Sequence, residues 1–341
     1  MAQVGRRRDD ESPLGRGWCP VSAQDALSTG SAMSTTSETA AFPADVIPIQ
    51  YHFNMLSDVA RMGAFESAIS LVVKPGMRVL ELGGGTGVLS WFASRQGAAH
   101  VWCVEKLPEM AEAARLALAA NEGGGRVTVV NADAENYLPP LPVDVVICEM
   151  LHTGLLRERQ VQVIESFKRR YLARFGGPLP RLIPEATIQA VQPVQQDFAY
   201  HGYMAATPAF QDACSVQPRT VELGPPLVFQ AFSYDEALPA RCTMDGPIRI
   251  ETPGVFNAVR VITKNLLAVQ PAEPGPSWIM GYLVVPVAAP FPVDRGERPR
   301  VSFAYAPGAE LNALTSGLRV TRQSISAPIL PRRTPELAIA G

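Results

Sequence analysis

Hydrophobic positions follow two different rhythms along the chain. Over residues 48–72 apolar side chains recur at helical spacing, at Met55, Leu56, Val59, Met62, Phe65 and Ile69, and Lys74-Pro75-Gly76 ends the helix this predicts. A short apolar run at 78–82 follows, then a glycine-rich turn at 83–87, a helix at 87–96 and a strand at 100–104. The alternation continues with a helix over 108–120, broken by Gly123-Gly124-Gly125, and strands at 126–130 and 143–148. An amphipathic helix over 157–172 is carried by Val161, Val163, Ile164, Phe167, Tyr171 and Leu172. Unbroken apolar strands alternating with helices predict a parallel sheet covered on both faces. Beyond Pro184 the rhythm changes to short β-branched runs at 186–192, 226–233, 257–269, 278–288 and 299–305, separated by Pro and Gly. These predict an antiparallel barrel or sandwich. The expected organisation is a disordered tail (1–42), an α/β domain with its leading helix (43–184), a β domain (185–330) and a short tail (331–341).

Composition narrows the class. At 341 residues, 47% hydrophobic and 18% charged, the chain can bury a full core and is not disordered as a whole. A net charge of −2 lacks the basic excess of a dedicated nucleic-acid binder. The longest apolar candidate, Ile279 to Val293, is interrupted by Pro286, Pro290 and Pro292, so no membrane span is expected. Five cysteines, an odd number without a C-x-x-C, exclude a disulfide scaffold and a four-Cys zinc site and point to the cytoplasm. No H-x-x-x-H or Cys/His cluster supports a metal. The cluster Arg6-Arg7-Arg8 has no apolar stretch after it, so no secretory signal is read, and Met33 is a candidate start.

The first chemical signal is the glycine turn. Residues Val79 to Leu89 read VLELGGGTGVL between a strand and a helix. Gly83, Gly85 and Gly87 let the backbone turn sharply and approach a ligand, and the helix that follows offers free N–H groups. A G-x-G-x-x-G dinucleotide loop would need Gly at Val88. Glu105, 20 residues after Gly85, ends the next strand, where a carboxylate can accept both hydroxyls of a ribose. Glu81, the Gly-x-Gly-x-Gly turn and Glu105 together resemble the S-adenosylmethionine site of class I methyltransferases.

The second signal is a pair of acids. The strand at 143–148 runs into Glu149, at the carboxyl end where a parallel strand points into the ligand crevice. Glu158 comes nine residues later, and Gly154 lets the intervening loop fold back so that the two carboxylates converge. A plain alternative for Glu158 is an acid at a helix N-terminus, favoured by the dipole.

Here the chain resembles the protein arginine methyltransferases, whose double-glutamate loop has this spacing directly after this strand. That family also carries H-x-x-M-L-x-D-x-x-R ahead of the glycine turn, matched by His52, Met55, Leu56, Asp58 and Arg61. The resemblance implies that Arg61 pairs with the cofactor carboxylate, that Met55 lies beside the reacting centre, and that Ala134 and Glu135 contact the adenine. His52 and Trp278 are read as acceptor-pocket residues. Leu182 to Thr187 resembles the crossing into the family's β-barrel, and the likeness covers about residues 48–325. Three departures stand out: Ser277 replaces the histidine of the family's Thr-His-Trp loop, Met150 stands where an aromatic is usual, and only about residues 199–215 remain for the dimerisation arm.

The expected fold is therefore a class I methyltransferase Rossmann-like parallel sheet followed by an antiparallel β-barrel. The expected reaction is transfer of a methyl group from S-adenosylmethionine to an arginine guanidino nitrogen, with Glu149 and Glu158 clamping the guanidinium. A near-neutral chain with a reduced arm leans towards free L-arginine or a small arginine-containing metabolite over a protein. A homodimer is expected. His152 is weighed as a stand-in for the missing histidine against a plain loop residue. The competing readings are a methyltransferase of the same build acting on another nitrogen or oxygen nucleophile, which Ser277 and Met150 favour, and a non-catalytic binding protein.

Overall fold

In the computed structural model, which describes residues 49–270 and 275–322, Asp58 splits the leading helix into α1 (Ile49–Ser57) and α2 (Val59–Val72). Its extended backbone and its carboxylate, accepting the Arg61 N–H at 2.9 Å, start α2 as an N-cap. The expected tails at 1–42 and 331–341 lie outside the described residues. The α/β part then runs β1 (Arg78–Leu82), α3 (Val88–Arg95), β2 (His100–Glu105), α4 (Pro108–Ala119), β3 (Val127–Asn131), β4 (Val145–Cys148), α5 (Gln160–Phe175) and β5 (Arg181–Ile183). All five strands pair in parallel in the order β3-β2-β1-β4-β5. Strand order reverses between β1 and β4, and the crevice at their carboxyl ends is where such sheets bind ligands. β4 is wholly buried, which is why it reads as a continuous apolar run.

The chain then continues as β6 (Ala186–Gln196), β7 (Ala199–Tyr200), β8 (Tyr203–Met204), β9 (Ala209–Gln211), β10 (Thr220–Glu222), β11 (Leu227–Ser233), β12 (Cys242–Pro247), β13 (Gly254–Leu266), β14 (Ser277–Ile279), β15 (Tyr282–Val293), β16 (Arg300–Tyr305), α6 (Leu311–Gly317) and β17 (Arg319–Thr321). The long strands β6, β13 and β15 form the spine of an antiparallel sheet ordered β10-β6-β13-β15-β9, with β11 also on β6 and β14 on β13. A second antiparallel sheet, β12-β16-β17, is joined to it where Phe229 of β11 meets Phe303 of β16 edge to face at 5.2 Å. Pro286 lies opposite Ala258 where the β13–β15 ladder shifts register, a place where a missing N–H costs little. Residues 199–215, the expected remnant of an arm, carry the small β7–β8 hairpin and β9 and contain no helix. Tyr203, Met204 and Phe210 of this stretch are exposed.

The α/β and β parts are stitched together by buried polar contacts as well as apolar packing. Lys168 on α5, nearly buried, donates to the Tyr234 carbonyl at 3.1 Å and to the Glu236 carbonyl beyond β11. Phe65 of α2 packs edge to face on Trp278 of β14 at 6.2 Å.

Candidate active site

The turn between β1 and α3 takes its shape from glycines in the left-handed region. Gly83 has φ 78° and Gly85 φ 51°, conformations that L side chains rarely adopt. Space demands glycine as well: a Cβ on Gly83 would sit 2.8 Å from Met150 Cγ, and one on Gly85 would sit 3.1 Å from His52 Nδ1. Met150, in place of an aromatic, therefore packs under the turn. His52 is buried against Gly85 and within electrostatic reach of Glu105, which puts it on the glycine-turn side of the crevice. Burial holds its imidazole below the usual range, with Glu105 opposing.

Glu105 ends β2 with both oxygens on backbone N–H groups, one on Gly85 and one on Leu107, each at 2.8 Å. That fixes its carboxylate beside the turn, and remaining lone pairs stay available. The buried Thr86 Oγ1 has no partner among the described residues. The N–H groups of Gly83, Gly84, Gly85 and Gly87 are bonded within the protein, so the turn offers a ligand close backbone approach, the unpaired Thr86 hydroxyl and a fixed carboxylate, which suits a ligand that carries a pair of hydroxyls.

Three residues expected at the ligand have other partners. Glu81 is 2% exposed and spends its carboxylate on Ser90, accepting the backbone N–H at 3.0 Å and the hydroxyl. It stitches β1 to α3 beneath the turn, and burial pushes it up to about 8. Glu135 turns its carboxylate onto Arg159 at 3.0 Å, while Ala134 beside it is buried. Trp278 lies with its face 4.9 Å from the Arg61 guanidinium. Met55 is half-buried on α1, and Ser277 opens β14.

At the carboxyl end of β4, Glu149 and Arg61 form a buried ion pair. Arg61 is held on its face by Trp278 and on its edge by Glu149. The second oxygen of Glu149, Oε1, is buried and accepts no well-formed hydrogen bond, although the Leu151 N–H lies close enough to the carboxylate to favour its charge. Burial pushes the Glu149 carboxyl up, and the Arg61 charge opposes this.

The loop from Glu149 to Glu158 is held in a strained course. Gly154 takes φ 76°, while Leu155 and Arg157 take φ 52° and 61° without glycine's freedom. The β part supplies the restraint. Gly154 donates its N–H to Thr263 Oγ1 and accepts at its carbonyl from the Tyr305 hydroxyl, both at 2.7 Å. Thr153 donates to the Gly281 carbonyl at 2.7 Å, and Arg157 N–H to Ala309 at 2.8 Å. His152 sits edge-on to Phe210 at 5.6 Å, and burial lowers its pKa. Sequence reasoning missed Thr263 and Tyr305, which lie 109 and 151 residues from Gly154 and carry no local signal.

Among the described residues there is no cluster of His, Cys, Asp or Glu able to hold a metal. No helix among them is long and apolar enough to cross a membrane.

Comparison with known proteins agrees with this geometry. Residues 79–173 match the family model described as a methyltransferase domain. An uncharacterized protein of Methanothermobacter thermautotrophicus is 32% identical over 269 residues, 79% of this chain and 97% of that protein. The arginine N(omega)-methyltransferase of Streptomyces achromogenes subsp. streptozoticus is 26% identical, over 73% of this chain and 74% of that enzyme. In structure, the Trypanosoma brucei PRMT1 enzyme-prozyme heterotetrameric complex with AdoHcy is similar with a TM-score of 0.64 at 19% identity, covering 81% of this chain and 94% of that one.

Proposed function

We propose that this chain, which carries a methyltransferase domain, is an S-adenosylmethionine-dependent enzyme of the protein arginine methyltransferase type and that it methylates a guanidino nitrogen of free L-arginine or of a small arginine-containing metabolite. The observation that carries this reading is Glu149. Its carboxylate is buried at the switch point of the sheet, with one oxygen on a guanidinium and the other without a well-formed hydrogen bond.

S-adenosylmethionine, the methyl donor of this enzyme class, supplies an electrophilic sulfonium methyl when bound. The residues suited to hold it are the turn at Gly83, Gly85 and Gly87, whose bare backbone allows close approach, the Thr86 hydroxyl, and Glu105 on the ribose hydroxyls. Arg61 takes the amino-acid carboxylate. Ala134 and Glu135 take the adenine, with Arg159 keeping Glu135 in place. His52, against Gly85, closes the same side, and Met55 on α1 borders the reacting centre.

The acceptor is a poor nucleophile because its charge is delocalised and its pKa lies above about 12. Glu149 and Glu158 answer this by position. Paired hydrogen bonds fix the planar fork and draw positive charge onto the nitrogens they touch, leaving lone-pair character on the attacking nitrogen. Alignment of that nitrogen with the methyl supplies most of the catalysis. The proton leaves after transfer, so a strong base is not needed beforehand. Trp278 acts through Arg61, holding it at the cofactor end of the Glu149 carboxylate.

The small acceptor is supported by the net charge of −2 and by the short, helix-free stretch at 199–211. The exposed Tyr203, Met204 and Phe210 of that stretch are read as the contact of a homodimer. Among the described residues Cys103, Cys148, Cys214 and Cys242 are free, in keeping with the cytoplasm. Ser277 and Met150 favour one second reading, methyl transfer to another nitrogen or oxygen nucleophile.

The test is direct. The protein is incubated with S-adenosylmethionine and either L-arginine or an Arg/Gly-rich peptide, and products are followed by mass. Methylated L-arginine is expected, lost in Glu149→Gln. Methylation of the peptide alone would overturn the small acceptor. Absence of any guanidine product, with cofactor binding intact, would overturn the reaction.

A further inference from the structure

Glu149 and Glu158 act together only if their loop keeps both ends in place. One side chain touches both ends. Gln160, 1% exposed, is the first residue of α5, two residues after Glu158. Its amide reaches back to β4 and closes on the backbone on either side of Glu149. Nε2 donates to the Cys148 carbonyl at 2.7 Å, and Oε1 accepts the Met150 N–H at 2.9 Å. A hydrocarbon of the same size could fill this space, but it would leave both backbone groups buried and unpaired.

The amide is in turn held from the β part. The Gln160 amide lies within reach of the buried hydroxyl of Tyr234, which sits 2.8 Å from Thr187 Oγ1. Thr187 donates its one hydroxyl proton to Asn265 Oδ1 at 2.7 Å. The direction of the whole chain follows from that. Tyr234 must donate to Thr187, and its oxygen therefore accepts from the second N–H of Gln160. The run Gln160 to Tyr234 to Thr187 to Asn265 points in one direction, ending at an Asn265 Nδ2 that has no partner among the described residues, and it links the base of the carboxylate loop to β6 and β13.

We infer that Gln160 is the positioning residue of the acceptor site, its amide setting the place of Glu149 and, through the start of α5, the spacing of Glu149 from Glu158. It touches no substrate and acts through the backbone of residues 148–150. The inference rests on the proposed function for its chemistry and on the geometry of β4 and α5 for its position.

Two substitutions test it. Gln160→Met keeps the volume and removes both hydrogen bonds. It should lower kcat for L-arginine by about tenfold to a hundredfold, the penalty of a displacement near 1 Å, with S-adenosylhomocysteine affinity unchanged within about twofold. Gln160→Glu gives a signature that loss of packing does not. When protonated, the new carboxyl can donate to the Cys148 carbonyl and accept from Met150. When ionised, it faces that carbonyl with negative charge. The groups around it are Cys148 at the end of β4, Glu149 just after it, Glu158 in the loop and Tyr234 beyond β11. Burial keeps the Cys148 thiol and the Tyr234 hydroxyl far above their usual values, so neither titrates in the working range. Activity of Gln160→Glu should therefore fall as pH rises, a limb absent from the wild type.

Crystal structures of the wild type and Gln160→Met read the position without any acceptor. Displacement of residues 148–150 is expected, with the glycine turn unmoved. Wild-type kcat in Gln160→Met, a wild-type pH profile in Gln160→Glu, or an unmoved Glu149 would each overturn the assignment. If the wild type methylates no guanidine, the reaction reading fails, and the two structures still decide the role of Gln160.

Discussion

Glu81 and Glu149 are both buried acids, and their surroundings send them in different directions. Glu81 has a serine for a partner and no cation, so burial dominates and its carboxyl rises to about 8. Glu149 has Arg61, which favours its charge against the cost of burial. Each predicts a pH dependence. A carboxyl whose pKa is higher folded than unfolded gives its full stability below the ordinary glutamate range and loses it as pH rises through about 8. The melting temperature should therefore decline by a few degrees between pH 5 and 8.5, and Glu81→Gln should flatten that decline in a thermal scan. Glu149 must be ionised to hold a guanidinium, so kcat/KM for the acceptor should rise with pH on a limb above the ordinary glutamate range. A limb at the ordinary position would contradict the burial argument. Both acids were legible as candidates, Glu149 from its strand end and Glu81 from the resemblance of its segment to a methyltransferase site, but their partners were not. Nothing in the spacing told that Glu81 would meet Ser90, or that Glu135 would meet Arg159.

Elements set the loop that carries the two carboxylates. Its strained residues, Leu155 and Arg157, are held by the bonds of Thr263 and Tyr305 to Gly154 and by their own backbone bonds to Gly308 and Ala309. Thr263→Val should leave the Gly154 N–H buried and unpaired. The expected cost is about 1–3 kcal/mol in urea unfolding, with a lowered kcat and unchanged S-adenosylhomocysteine affinity. Unchanged kcat would mean that the strain is held elsewhere. The parallel strands and their helices could be read from apolar runs and turn residues because periodicity is a local property. The short β5 between prolines, the Asp58 break between α1 and α2, and α6 escaped it, since a few residues make no period. Tethers between the β part and the loop escaped for the opposite reason, their range.

At the scale of the molecule, the chain joins a cofactor-binding α/β part to a β part that holds the acceptor loop in place, through Lys168, the Tyr234 chain and Gly154. The near-neutral charge and the short stretch at 199–211 belong to the same account, in which the acceptor is small. L-arginine should therefore have a kcat/KM at least about tenfold above that of an Arg/Gly-rich peptide, a margin of about 1.4 kcal/mol, measured by formation of S-adenosylhomocysteine. The reverse order would move the reading to a protein acceptor. The central claim, that Glu149 holds the acceptor guanidinium, is tested most directly by calorimetric titration of L-arginine into the protein saturated with S-adenosylhomocysteine. The account predicts saturable binding that disappears in Glu149→Gln while cofactor affinity is kept. Equal binding by Glu149→Gln, or no binding by a wild type that still binds its cofactor, would contradict it.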